Sequence, residues 1–435
     1  MYLIYSALLA SALLLSLPYW LWQMTRHSKY RDGLWQKLGR VPPPLADYSK
    51  PAIWIHAVSV GEVLAVSRLA KELQSEFPDY RVVISTTTPT GQKLARQRFD
   101  NDNVFYFPLD LGFAVRPYIQ ALHPRLIVIA ETEFWPNFLR LAKAGGASIA
   151  VVNARISDRS LPGYRRWRRL LSVILRPIDI FLAQTEEDAS RLARIGAPQD
   201  RIQVSGNLKY DIEIQPADQS SIVTGLRTSL QKGNAGPIIV CGSTVEDEEL
   251  LLLNAFQSVA ATHPNAVMIL APRHPERFNE VADVLNATQI PFVRRSLWND
   301  EPILPGVFLL DGIGELAAVY ALADIAFVGG SLVPRGGHNI IEPAQHGVPI
   351  VVGHHTENFR DIASFFQKRN AVRIVGPAEL PLVWLELLAD PHERAAMGQR
   401  AQEAMQLQKG ATERTLQALR PRLRSTVTPA AERLS

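Results

Sequence analysis

Cysteine is nearly missing from this chain: Cys241 is the only one in 435 residues. One thiol can build neither an internal disulfide nor a cysteine-based metal site, so a reducing compartment fits best. Charge of either sign is modest, with 46 Lys plus Arg against 42 Asp plus Glu. A net of +4 over this length is too small to imply nucleic acid as a partner. There is no Walker A sequence, and no GxGxxG follows a strand. His263, His346, His354 and His355 form no ligand set with a supporting carboxylate motif, which favours metal-independent chemistry. Asp100-Asn101-Asp102 matches a short metal-binding DxD pattern, but it precedes the Val104–Phe107 strand, and ligands gather where strands end. What remains is ordinary globular usage, 47 % hydrophobic and 20 % charged, long enough for two or three domains.

Charge is wholly absent from Met1 to Met24. As a helix this run would extend about 36 Å, longer than a hydrocarbon core of about 30 Å. Tyr19, Trp20 and Trp22 fall where an aromatic belt would lie, and Arg26, Lys29, Arg31, Lys37 and Arg40 follow. A secretory signal would place its positive charges before the apolar run and a small-residue cleavage site after it, and neither is visible. Residues 1–24 are therefore expected as a membrane anchor and residues 25–50 as a basic juxtamembrane segment. The positive-inside rule then makes the body cytoplasmic, and Pro18 leaves a shallow interfacial helix open as well as a span.

From Pro51 onward, β-rich apolar runs alternate with amphipathic stretches. Strands are expected at Ile53–Val58, Val82–Thr86, Leu126–Ala130, Ser148–Asn153, Ile180–Gln184 and Ile202–Ser205. A second set runs Ile238–Gly242, Val267–Ala271, Phe292–Arg295, Val307–Asp311, Ile325–Gly329 and Ile350–Gly353. Between them, Val63, Val66, Leu69, Ala70 and Leu73 share one face of a helix over Val63–Phe77. Such alternation indicates an α/β chain with parallel sheets flanked by helices. Two Rossmann-like domains facing a cleft, 51–210 and 222–390, joined by a polar linker at 211–221, are the economical solution, with a helical segment at 391–435. Ligands should then lie just beyond the strand ends.

Those strand ends carry the polar motifs. His56-Ala-Val-Ser-Val-Gly-Glu62 enters a helix, whose amino terminus would keep the Glu62 carboxylate ionised and able to accept a proton. An ordinary first-turn Glu is the plainer reading. Glu131-Thr132-Glu133 follows another strand, and its two carboxylates share a face if the strand persists through both. Gly206-Asn-Leu-Lys209 offers a cation at the domain junction, where it could meet a phosphate presented by the other domain. Ala271-Pro272-Arg273-His274 puts a forked guanidinium at a strand end. Asp311-Gly-Ile313-Gly314-Glu315 is a glycine turn into a helix, with backbone N–H groups suited to an anion. In Arg335-Gly-Gly-His338-Asn339-Ile340-Ile341-Glu342, Asn339 and Glu342 are three apart and would share a helix face, suiting ribose hydroxyls or a base edge.

Positive charge is also clustered. Between Arg155 and Arg176 lie seven arginines (155, 159, 165, 166, 168, 169 and 176) against Asp158 alone. Trp167, Leu170, Leu171, Ile174 and Leu175 add an apolar stripe, so this reads as a basic amphipathic helix. Beside an anchor, anionic lipid is a better partner than nucleic acid.

HAVSVGE, TTTPTG (Thr86–Gly91), ETEFWPN, NARIS, GNLKYD, APRHPERF, GELAAVYALAD and GGSLVPRGGHNIIEPA, in this order, resemble the 3-deoxy-D-manno-octulosonic acid (Kdo) transferases of lipopolysaccharide synthesis. The resemblance covers nearly the whole chain. It implies the GT-B fold and transfer of Kdo from CMP-Kdo to a phosphorylated lipid A precursor (lipid IVA), with inversion and no metal cofactor, at the cytoplasmic face of a bacterial inner membrane. By the same resemblance, residues 51–210 are the acceptor domain and 222–390 the CMP-sugar domain. Glu62 would be the general base, with Glu131 and Lys209 stabilising the transition state. Pro272 and Arg273, Ile313 to Glu315, and Asn339 to Glu342 would bind CMP. Val245, Asp247, His354 and Glu357 stand where the family commonly has His, Gly, Pro and Phe. The alternatives are a GT-B enzyme using a UDP-sugar, and a membrane-tethered nucleotide-binding protein without catalysis.

Overall fold

The computed structural model describes residues 1–26, 32–46, 50–158, 160–212 and 220–424. The chain forms two compact units, one from Met1–Ile212 and Lys409 onward, the other from Glu213–Gln408. Each is built on a seven-stranded, all-parallel sheet.

In the first unit the strands are β1 (Ala52–His56), β2 (Arg81–Thr86), β3 (Val104–Tyr106), β4 (Leu126–Ala130), β5 (Ser148–Ala154), β6 (Ile180–Ala183) and β7 (Ile202–Val204). Their order is β3-β2-β1-β4-β5-β6-β7. Helices cover both faces, which is why runs such as Ala-Ile-Trp-Ile-His in β1 and Leu-Ile-Val-Ile-Ala in β4 are buried throughout and show no alternation. The strand order reverses direction between β1 and β4, so their carboxyl ends flank the topological switch point.

The second unit comprises β8 (Ile238–Thr244), β9 (Val267–Pro272), β10 (Phe292–Arg294), β11 (Gly306–Leu309), β12 (Ile325–Val328), β13 (Ile350–Val352) and β14 (Arg373–Ile374), ordered β10-β11-β9-β8-β12-β13-β14. Its switch point lies between β8 and β12. The two-residue β14 is too short to leave a pattern in the sequence.

The helical segment expected at 391–435 divides. Pro391–Gln408 packs in the second unit, whereas Ala411–Arg424 buries Ala411, Leu416, Leu419 and Leu423 in the core of the first. Gly410 turns the chain at φ +92°, and Asp211 receives the Gly410 and Thr412 amides at 2.8 and 2.6 Å. Of the linker expected at 211–221, residues 213–219 lie outside the described residues. Asp211 closes a 3-10 turn of the first unit, and Ser221 opens the helix Ser221–Lys232.

The uncharged amino terminus is one helix, Tyr2–Arg26, with Pro18 inside it. Its Tyr2–Trp20 portion is long and apolar enough to cross a membrane. Lys29 and Arg31 of the basic segment lie outside the described residues. The single basic helix expected after Arg155 is instead two, Leu161–Arg166 and Arg168–Leu175, because Trp167 leaves helical backbone at φ −102°, ψ 20°. Arg159 is outside the described residues.

Candidate active site

In the first unit, Glu62 and Glu131 follow β1 and β4, the two strands of the switch point. Ser59 caps the helix Val60–Glu76, and Glu62 in its first turn folds back on the cap. One carboxylate oxygen accepts from the Ser59 hydroxyl at 2.7 Å and the other from the Val58 amide at 2.8 Å. Ser59 in turn accepts from the Glu62 amide at 3.5 Å, so the plainer first-turn role, fastening the helix start, is also filled. The TTTPTG motif supports the same loop: Thr88 donates to the Val58 carbonyl at 3.1 Å and caps its own helix.

The expectation that the helix terminus keeps Glu62 ionised does not hold. Its side chain is buried, and desolvation, joined by the negative charge of Glu131, pushes the carboxyl up to about 7. The hydrogen bonds from Ser59 and Val58 oppose that rise without cancelling it. A carboxyl at that value is half-ionised near neutrality, as a general base should be.

Glu131 also differs from expectation. The strand ends at Ala130, and Glu131 takes a left-handed backbone at φ +56°, so Glu131 and Glu133 do not share a face by strand alternation. The chain turns there, and the two carboxylates still feel each other: burial and then Glu131 raise Glu133. Lys209, from the 3-10 turn Leu208–Asp211, pairs with Glu131 at 3.3 Å. Asn207 and Asn153 fix that turn through the Lys209 and Leu208 amides, each at 3.0 Å. Glu62, Glu131 and Lys209 thus come together, and Glu133 joins them.

In the second unit, Pro272 ends β9 and Arg273 follows it, exposed, with its amide held by the Thr244 carbonyl at 2.9 Å. Asn339 lies just before the helix Ile341–Gln345, not on it as the spacing suggested. It still reaches Glu342, donating to its carboxylate at 3.2 Å, while its own oxygen accepts from the Ile341 amide at 3.2 Å. Burial raises Glu342 despite the nearby Arg273. Ile340 and Ile341 are buried, so their side chains belong to the core and only their backbone could meet a ligand. After β11, Ile313 and Gly314 are exposed, with Gly314 at φ +88°. The helix that follows is only Leu316–Val319, so this turn offers backbone N–H groups and little dipole. Glu315 pairs with Arg295 at 3.1 Å.

Three residues escaped the sequence reading. Ser59 was visible within a motif but was given no role. His338, also inside a motif, is lowered to about 4 by burial, then by Arg273 and His274, so its imidazole is neutral at pH 7. Glu248 left no signal. It is completely buried and accepts the Gly330, Ser331 and Leu332 amides at 2.7, 2.8 and 2.8 Å, pinning the turn beyond β12. Among the described residues, no three His, Cys, Asp or Glu side chains form a set that could hold a metal ion.

Known proteins share this chain's sequence and fold. The family described as 3-deoxy-D-manno-octulosonic-acid transferase (kdotransferase) matches residues 32–212. A 3-deoxy-D-manno-octulosonic acid transferase of Haemophilus influenzae is 34 % identical over 408 residues, covering 92 % of this chain and 93 % of its own. One from Bordetella pertussis is 35 % identical over 421 residues, covering 92 % and 95 %. Among solved structures, a glycosyltransferase from Rickettsia africae superposes with a TM-score of 0.57 at 12 % identity, over 87 % of this chain and all of that one, which establishes a shared GT-B architecture.

Proposed function

Since the chain belongs to the 3-deoxy-D-manno-octulosonic acid transferase family, glycosyltransferases of lipopolysaccharide biosynthesis, we propose that it moves Kdo from CMP-Kdo to the phosphorylated lipid A precursor lipid IVA. Glu62 is the general base. The acceptor hydroxyl oxygen attacks the anomeric carbon as the bond to the CMP phosphate breaks, and its proton passes to the Glu62 carboxylate. One displacement from the opposite face inverts the anomeric centre. The observation that carries this reading is the carboxyl of Glu62, buried beside Glu131 and raised to about 7.

Charge shifts in two directions during that step, and each needs an opposite partner. The anomeric centre becomes electron-poor, which Glu131 stabilises. The departing phosphate gains charge, which the Arg273 cation and the Gly314 turn amides of the second unit stabilise. CMP leaves as a monophosphate, so cations and amides suffice and no metal is required. Pro272, Arg273, Ile313 to Glu315 and Asn339 to Glu342 hold the nucleotide, with the Asn339 amide and Glu342 carboxylate suited to hydroxyl or base-edge donors. Membrane lipid is the second partner, through the apolar amino-terminal helix and the arginines from 155 to 176, so the enzyme works at the cytoplasmic face of the inner membrane.

Purified protein incubated with lipid IVA and either CMP-Kdo or a UDP-sugar tests the donor. Mass analysis should show addition of Kdo from CMP-Kdo alone. Transfer from the UDP-sugar and none from CMP-Kdo would overturn the assignment.

A further inference from the structure

The amino-terminal helix Tyr2–Arg26 does not stand clear of the first unit. Tyr2, Tyr5, Ser6, Leu9, Ala10 and Leu13 recur at helical spacing and are all half-buried. Leu3, Ile4, Leu8, Leu14 and Leu15, on the other faces, are exposed. The half-buried stripe is docked by polar contacts. Asn137 donates its side-chain amide to the Ser6 hydroxyl at 2.9 Å, and the Tyr5 hydroxyl bonds the Asp110 carboxylate. The Arg140 guanidinium lies 5.0 Å from the centre of the Tyr2 ring. Asn137 and Asp110 are themselves buried, and Asp110 also accepts the Asn137 and Phe138 amides at 3.0 and 2.7 Å. The first turns of the helix thus close a polar network of the folded unit.

That docking is incompatible with a perpendicular span. Ser6 and Arg26 are separated by about 30 Å of helix, a full hydrocarbon thickness. A spanning helix with its body beyond Arg26 would carry Ser6 to the opposite face, out of reach of Asn137. We propose that Tyr2–Trp20 lies in the plane of a single leaflet, with one stripe on the first unit, its exposed leucines among acyl chains, and both ends on the side of the body.

The partner is a phospholipid leaflet carrying anionic headgroups. The helix Pro136–Ala144, on which the amino-terminal helix docks, also touches Arg168–Leu175. There Trp167, Leu170 and Val173 are exposed next to Arg168 and Arg169, pairing apolar surface with positive charge. A docked inner face also explains why a helix lying in the interface needs no charged side of its own.

This inference rests on the reading that the enzyme is membrane-attached, and the test separates the two. An epitope tag is added before Met1, and protease is applied to intact spheroplasts and to inverted inner-membrane vesicles. The tag should be lost in inverted vesicles and survive in spheroplasts; the reverse would overturn the in-plane helix while leaving attachment intact. Recovery of the full chain in the soluble fraction would instead overturn attachment, and the proposal with it. In a Cys241→Ala background, Ser6→Cys with Asn137→Cys should be bridged in native membranes by a short thiol-reactive cross-linker. Failure to bridge, with the protein still in the membrane, would also overturn the docked helix.

Discussion

Glu62 shows how two opposed forces at one residue decide its chemistry. A helix terminus and two hydrogen bonds favour the carboxylate, while burial and Glu131 favour the acid, and the second pair wins. Because a base works only when deprotonated, the rate of transfer should rise with pH through about 7. Replacing Glu131 with Gln removes a like charge, so the carboxyl of Glu62 falls towards its ordinary value. The acidic limb of the rate–pH profile should move to lower pH by roughly one unit, even as the plateau drops. A limb that stays in place would mean that Glu131 does not act on Glu62. None of this was visible in the sequence, because Glu131 is distant along the chain and burial belongs to the folded state.

At the scale of elements, strand positions were largely legible, since a doubly covered parallel strand is an unbroken apolar run. Motifs at the ends of β1, β4, β9, β11 and β12 could therefore be placed on the correct side of each sheet. Legibility ended where a contact was long-range or a turn depended on one backbone angle. Trp167 breaks the basic helix, Glu131 turns the chain away from its strand, and the last helix returns to the first unit under Asp211. Asp247, standing where the family commonly has Gly, adopts φ +72°, a backbone that glycine reaches freely and Asp tolerates. Glu248 is the clearest case, because three of the backbone amides it binds are more than eighty residues away. Glu248→Gln turns an N–H towards those amides, which costs about 1–3 kcal/mol in a buried site. The turn beyond β12 should loosen and the affinity for CMP fall about tenfold, read by calorimetry. Unchanged affinity in a folded variant would show that the turn does not support the nucleotide site.

For the molecule as a whole, the small net charge is an average over unlike regions. Seven arginines between 155 and 176 meet one acid there, and five basic residues between 26 and 40 meet only Asp32. The remainder of the chain is therefore acidic in balance. Changing Arg165, Arg166, Arg168 and Arg169 to Ser should raise KM for the lipid acceptor severalfold and leave KM for the donor unchanged. An equal rise in both would point to lost folding instead of lost lipid contact. In the proposed reaction the acceptor proton leaves through one buried carboxyl, that of Glu62. Glu62→Gln keeps the size and one acceptor oxygen of that side chain and removes its proton affinity. Measured with CMP-Kdo and lipid IVA at pH 8, turnover should fall by about 100-fold or more while CMP binding is retained. Turnover equal to that of the unaltered enzyme would show that Glu62 is not the base.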